Sequence, residues 1–417
     1  MKKHIIYSLL LLVPILSFAQ SKVITGIVKD IDTKKAIQWV SISIEGTNQK
    51  TLTNEEGEFK IAVPDENSIL NFYHISYSEK NFKVGNNENV EVLMTSKEYQ
   101  LDEVVIGNES GLDSLLLAVN QSKMKLEKSL LLNTYYREFL KEGGKFTCFA
   151  DGMLDYYMYK KTVGKKKKMH EVNATDLYVK QSRVCDLLDE NASEEEKFSR
   201  NQTWNNINNT VLIAYSIGMV SWITNGSNDY NFKVTNKTDK DGNRIKIIKI
   251  SPKEGVEKGE LYVGSVTYDT KSNLILETDL KFSPEHKKYA VMQSAWFIYR
   301  FKMKFNDMAR KSSFKIDGDK YVMLYDQFKM DMYIKVGRFE SNFEYVYDIT
   351  TLDYKEGIFD LSNIKKYDKK TLSENGNKYT ERFWEKQNVI PMSDKEESII
   401  RELNKKSAST SSESALK

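Results

Sequence analysis

The chain is poor in the residues that carry most metal and nucleophilic chemistry, with 4 histidines and 2 cysteines in 417 residues. No HExxH, CxxC or GxSxG motif occurs, and the glycine-rich phosphate loops of P-loop and Rossmann proteins are absent. Ser-x-x-Lys recurs at Ser122–Lys125, Ser312–Lys315, Ser362–Lys365 and Ser414–Lys417. In a chain this rich in lysine those hits are what chance supplies. An excess of one charge sign is missing too. The formal net charge is +3, including Lys2 and Lys3, which argues against general nucleic-acid binding. Beyond the first twenty residues no stretch is long and apolar enough to span a bilayer as a helix. The two cysteines, Cys148 and Cys185, would meet an oxidising compartment after export. They could form a disulfide. Equally, Cys148 alternates with Phe146 and Ala150 as a buried free thiol would, and sequence separation does not set the Cα distance a bond needs.

What is present begins with a leader. Met1-Lys2-Lys3-His4 is basic, residues 5–15 are mostly apolar, and Ser17-Phe18-Ala19 fits a small-x-small cleavage site. Residues 1–19 are expected to be a signal peptide, cut between Ala19 and Gln20. The apolar run is short of the roughly 20 residues of a membrane span, and no cysteine follows to carry a lipoprotein anchor. Hydrophobic residues at 40% and aromatics at 12% are enough for real cores, which excludes bulk disorder.

Residues 22–107 read as an all-β unit. Val40-Ser41-Ile42-Ser43-Ile44 and Phe59-Lys60-Ile61-Ala62-Val63 alternate with the two-residue period of a strand. Glu45-Gly46-Thr47-Asn48 and Asn54-Glu55-Glu56-Gly57 supply turns, and Thr51-Leu52-Thr53 is extended. Residues 69–72 and 74–77 are expected to give another strand with aromatic tips. The pattern Gly26-x-Val28-x-Asp30, Ala36, Val40-x-Ile42-x-Ile44-x-Gly46-Thr47, Thr53-Asn54-x-x-Gly57-x-Phe59 and Ile75-Ser76-Tyr77 resembles the carboxypeptidase-regulatory-like domain of Bacteroidota envelope proteins. Leu101-Asp102-Glu103-Val104-Val105-Ile106 resembles the segment that closes this module in TonB-dependent transporters. One departure is Ile37-Gln38-Trp39, where the family usually has proline-glycine. The resemblance implies a transthyretin-like or Ig-like β-sandwich acting as an accessory unit, with no catalytic residues. A metallocarboxypeptidase would need a His-x-x-Glu pair, and neither His74, His170 nor His286 starts one.

Residues 112–403 are expected to form an α+β domain around a large curved antiparallel sheet. Leu112, Leu115, Leu116, Val119 and Leu126 share a helical face, predicting a helix to about residue 130 with Asp113 as N-cap. Tyr135-Tyr136-Arg137-Glu138 follows, then a strand over 145–160. This order is similar to other Bacteroidota proteins carrying the same front module, as is the late Phe383-Trp384-x-x-x-Asn388-Val389-Ile390; those proteins have no known activity. The basic run 160–168 reads as a solvated hairpin tip, with anionic lipid or phosphate contact as the functional alternative. Trp204, Ile207, Val211, Tyr215, Met219 and Trp222 predict one helix with a wide apolar face packed on a sheet. Residues 245–250, 261–268 and 275–282, then 296–305, and 321–336 after the turn Asp317-Gly318-Asp319, predict an antiparallel meander. Gly264-x-Val266-x-Tyr268-Asp269 with 274–280 is faintly similar to the half-barrels that carry lipid or lipoprotein in the periplasm. Ser393-Asp394-Lys395-Glu396 is a capping box, its helix striped by Ile399, Ile400 and Leu403. Residues 404–417 are expected to be a disordered tail.

The remaining length cannot hold a plug and a transporter barrel of some 22 strands. The reading is an exported protein of the periplasm or outer membrane, needing no cofactor and without catalytic or metal residues. It would bind or assemble with an envelope protein, lipid or glycan. Two alternatives stand beside it: a hydrolase using paired carboxylates, and a lipid or lipoprotein carrier.

Overall fold

Residues 22–101, 108–123, 129–164, 169–188, 191–203, 206–239, 242–296, 300–384 and 387–414 are described in the computed structural model. Ala19 and Gln20, the closing segment 102–106, Lys165 to Lys168 and Trp204 lie outside the described residues. The chain divides into two units, one running to Ser96 and including Glu381–Pro391, the other holding Lys97–Thr380 and Met392–Lys417.

The first unit is a seven-strand sandwich. β1 (Lys22–Asp30) lies between β4 (Glu58–Val63), antiparallel, and β7 (Asn89–Met94), parallel. The facing sheet has the order β3 (Lys50–Leu52), β2 (Ser41–Ile44), β5 (Ile69–His74) and β6 (Tyr77–Lys83). Ile24, Val28, Ile42, Phe59, Ile61 and Phe72 fill the space between them. The signature residues are there for identifiable reasons. Asn54 Oδ1 accepts from the amides of Glu56 and Glu58, which curls the chain so that Gly57 takes φ of 76°. A Cβ on Gly57 would stand 2.6 Å from the Val28 carbonyl oxygen. Thr53, fully buried, accepts from Val40 N and donates to the Ile37 carbonyl. Where the family has proline-glycine, Trp39 itself adopts φ of 62°, a conformation costing an ordinary residue about 1–2 kcal/mol. The expected strand over 74–77 is instead a turn: Ile75 and Ser76 link β5 to β6, with His74 paired to Tyr77. Asn388, from the late motif, accepts from Ala62 N on the outer strand β4 through its side chain.

The second unit is built on a 12-stranded sheet. Its strands are β8 (Tyr99–Leu101), β9 (Leu130–Glu142), β10 (Lys145–Val163), β11 (His170–Asp186), β12 (Tyr230–Asp239), β13 (Arg244–Pro252), β14 (Tyr262–Asp269), β15 (Ile275–Phe282), β16 (Gln293–Trp296), β17 (Arg300–Asp317), β18 (Lys320–Val336) and β19 (Phe339–Glu356). The predicted meander runs from β12 to β19, with β16 set aside on β17, and β19 then pairs with β9 to join the two halves. The strand expected over 296–305 is therefore two, since the chain leaves β16 and pairs back on it from β17. Register shifts in β9–β10, β10–β11, β14–β15, β17–β18 and β9–β19 bend the strands locally and raise their twist.

One face of this sheet, here the inner face, is covered by α1 (Asn108–Ser122), α3 (Thr210–Tyr215) and α4 (Gly218–Asn225), through Leu115, Val119, Val211, Tyr215, Val220 and Ile223. α2 is Glu194–Thr203 and α5 is Asp394–Ser414. α1 is described to Ser122, whose Oγ accepts from Ile275 N; Leu126, on the expected continuation of the helix, lies outside the described residues. The single helix expected from Trp204 to Trp222 is broken, because Ile217 takes φ of 53° and separates α3 from α4. That break turns Trp222 outward to 57% exposure while Ile207, Val211, Tyr215 and Met219 stay buried. The capping box forms as read: Glu396 N donates to Ser393 Oγ and Ser393 N to Glu396 Oε2. α5 continues to Ser414, through most of the stretch expected to be a disordered tail. Its Ile399 and Leu403 pack on Phe139, Phe149 and Cys185 of the outer face. Cys185 is opposite Phe149 in the β10–β11 register, and Cys148 is opposite Asp186. Cross-strand partners share a face and successive residues alternate, so the two thiols lie on opposite faces and both are free.

Candidate functional site

A carboxylate-based enzyme would bring acids together where substrate can reach them, so the buried acids of the large sheet come first. The stretch Tyr135-Tyr136-Arg137-Glu138 is buried on both faces of β9. On the outer side Tyr135 donates to Asp151 at 2.9 Å, and Arg183 grips the same carboxylate. Arg137 Nε lies 2.8 Å from both Asp348 oxygens, and its Nη1 is 3.0 Å from Glu396, the acid of the capping box. On the inner side Tyr136 and Tyr345 donate to Glu138 at 2.6 and 3.0 Å. Asp326 takes two bonds from Arg310, one from Ser312 and one from Tyr347. Glu138 and Asp326 have no exposed surface. Burial pushes the Glu138 carboxyl up to about 7, against the phenol hydrogen bonds that favour its charge. Burial likewise raises the Tyr136 and Tyr345 phenols. These acids are sealed into the core, where they orient strands rather than meet a substrate.

A cleft that opens to solvent lies elsewhere. β13 and β15 both run antiparallel to β14, so they finish at the same end of the sheet, and each has a Ser-Pro pair there: Ser251-Pro252 are the last two residues of β13, and Ser283-Pro284 directly follow β15. Proline cannot continue a ladder, and two loops rise side by side. The first is pinned by Lys253 N on the Asp229 carbonyl and by the Lys258–Asp229 ion pair at 2.8 Å. The second is pinned by Ser283 N on the Leu261 carbonyl, by turns closing at His286 and Tyr289, and by the Lys287–Asp307 pair at 2.7 Å. Gly259 lets the walls meet, since a Cβ there would fall 2.4 Å from Ala290 Cα. Asn231, Ser251 and Val263 form the floor, and the enclosed volume is about 640 Å³, within the usual range for small-molecule sites. His286 lines it and is only 7% exposed. Its Nδ1 is 2.8 Å from Ser283 Oγ; its Nε2 has no hydrogen-bond partner among the described residues. Glu254, Glu257, Glu285, Lys253 and Lys288 also line it.

Sequence reading passed over this cleft. His286 entered it only as a histidine that starts no His-x-x-Glu pair. The signal that could have found it is the repeated Ser-Pro at two strand ends with one strand between. His74 Nδ1 accepts from Ser76 N in the first unit, and His170 is exposed at the start of β11. β10 and β11 pair antiparallel up to Val163 opposite His170, and Lys165 to Lys168 of the basic run between them lie outside the described residues. No described helix is long and apolar enough to cross a membrane, and no group of three metal-ligating side chains converges among the described residues.

Comparison with known proteins agrees with the sandwich. Residues 24–106 match the family model of the CarboxypepD_reg-like domain, a range that takes in the strands of the sandwich from Ile24 on. Over 104 residues the chain is 30% identical to TonB-dependent receptor P3 of Formosa agariphila; the match takes in 25% of this chain and 10% of the receptor. The chain thus spans a small part of the length of the curated relative it matches.

Proposed function

We propose that this is a binding or assembly protein of a Bacteroidota-type cell envelope, exported to the periplasm or outer membrane and not an enzyme. The carrying observation is the match of residues 24–106 to the CarboxypepD_reg-like domain, beside the likeness over 104 residues to a TonB-dependent receptor, in a chain whose second unit has fully buried acids bound to tyrosine and arginine. The first unit acts as the adaptor and the large sheet bears the recognition surface. Protein isolated from its host should carry a bound lipid, glycan or partner protein, detected by native mass spectrometry or crosslinking. Isolation with nothing bound and nothing crosslinked would count against the proposal.

A second reading, a hydrolase, is favoured by one observation: the cleft carries Glu254, Glu257 and Glu285 beside His286. It requires turnover that is lost when those glutamates become glutamine. The carrier reading finds less support. A cavity among the described residues between α3, α4 and the sheet is about 10 Å³, room for about one water molecule, so an acyl chain at that point would require α3 and α4 to lift.

A further inference from the structure

We infer that the cleft between the two Ser-Pro loops binds a short uncharged oligosaccharide, with His286 Nε2 as a hydrogen-bonding contact. The inference rests on the binding-protein reading and names its ligand class. The lining presents both charge signs, Lys253 and Lys288 against Glu254, Glu257 and Glu285, so neither a phosphate nor a cation finds a matched field. Apolar groups are interrupted by charges all round, which does not suit an acyl chain. Hydroxyl groups both donate and accept, and this cleft offers both: amide and amine donors from Asn231 and the lysines, carboxylate acceptors from the glutamates. Between them Pro252, Pro284, Val256, Val263 and the Tyr289 ring give hydrocarbon surface for the C–H faces of a sugar. Lys288 Nζ stands 4.8 Å from the Tyr289 ring centre, and the His286 ring lies 6.3 Å from it. His286 fixes the geometry. Its ring is held by Ser283 at Nδ1 and is 7% exposed, so a hydrogen bond from Nε2 to a ligand costs little side-chain entropy.

The test uses the full mature chain and four probes: cellotriose, maltotriose, laminaritriose and chitotriose, titrated by calorimetry and by saturation-transfer NMR. Saturable binding of at least one is expected. Ser251→Trp, at an exposed floor position, should weaken it by about tenfold or more, and His286→Phe likewise, with unchanged circular dichroism. Should His286→Phe fail to fold, Ser251→Trp decides alone. No binding of any probe up to about 10 mM, or binding untouched by Ser251→Trp, overturns the inference. Cleavage of a probe that Ser251→Trp abolishes would uphold the cleft as a glycan site and move the protein to the hydrolase reading. A host-derived partner retained by the Ser251→Trp protein, with no sugar bound, would sink this inference alone. Loss of both would sink the binding-protein reading with it.

Discussion

At the centre of the first unit Phe59 and Phe72 meet edge to face at 5.6 Å, among aliphatic side chains that carry no polar atom. The corresponding layer of the large sheet holds Tyr136, Tyr345 and Tyr347, with Glu138 and Asp326 buried among them. An oily core tolerates repacking and responds little to pH. A core of paired charges and phenols fixes strand position but is vulnerable wherever one partner is lost.

The largest expected effect tests that vulnerability. Arg137→Met strands Asp348 in the core and should lower stability by about 3–5 kcal/mol in urea denaturation. Arg137→Met with Asp348→Leu should recover most of the loss; an equally unstable double variant would show that packing, not charge, governs the site. Phe59→Ala should cost the first unit about 3–5 kcal/mol through its cavity, with the same increment at pH 5 and pH 8. The comparison sharpens at Glu138. Its folded pKa of about 7 stands above the ordinary 4.5, so its contribution is full below 4.5 and is lost as pH rises to 7. Wild type should therefore lose a few kcal/mol relative to Glu138→Gln across that window. A constant difference between the two would refute the assignment. The smallest effect is Ser393→Ala, which removes an N-cap and should cost about 1 kcal/mol.

Legibility in the sequence followed the locality of the cause. Asn54 and Gly57, the Asp317-Gly318-Asp319 turn, the capping box and the strand over 145–160 all act within a few residues, and each was readable. The α3–α4 break was not, because Ile217 has no local reason to be left-handed; its cost is met by the packing of Tyr215 and Met219 on the sheet. The fate of the cysteines depended on the β10–β11 register, which no spacing reveals. The cleft depended on two loops brought together by three strands. Even the role of Arg137 needed Asp348, more than two hundred residues away.

The seam between β9 and β19 has a consequence for biogenesis. β9 ends at Glu142 and its neighbour begins at Phe339, so during synthesis one long edge of the β9–β10 hairpin waits for nearly two hundred residues without its permanent partner. Contacts of such separation make folding slow, and an unpaired edge of that length invites association between chains. A molecule arranged this way should depend on holding chaperones until β19, in the last fifth of the chain, has emerged, and nonsense truncations before residue 339 should aggregate rather than persist as smaller folded pieces.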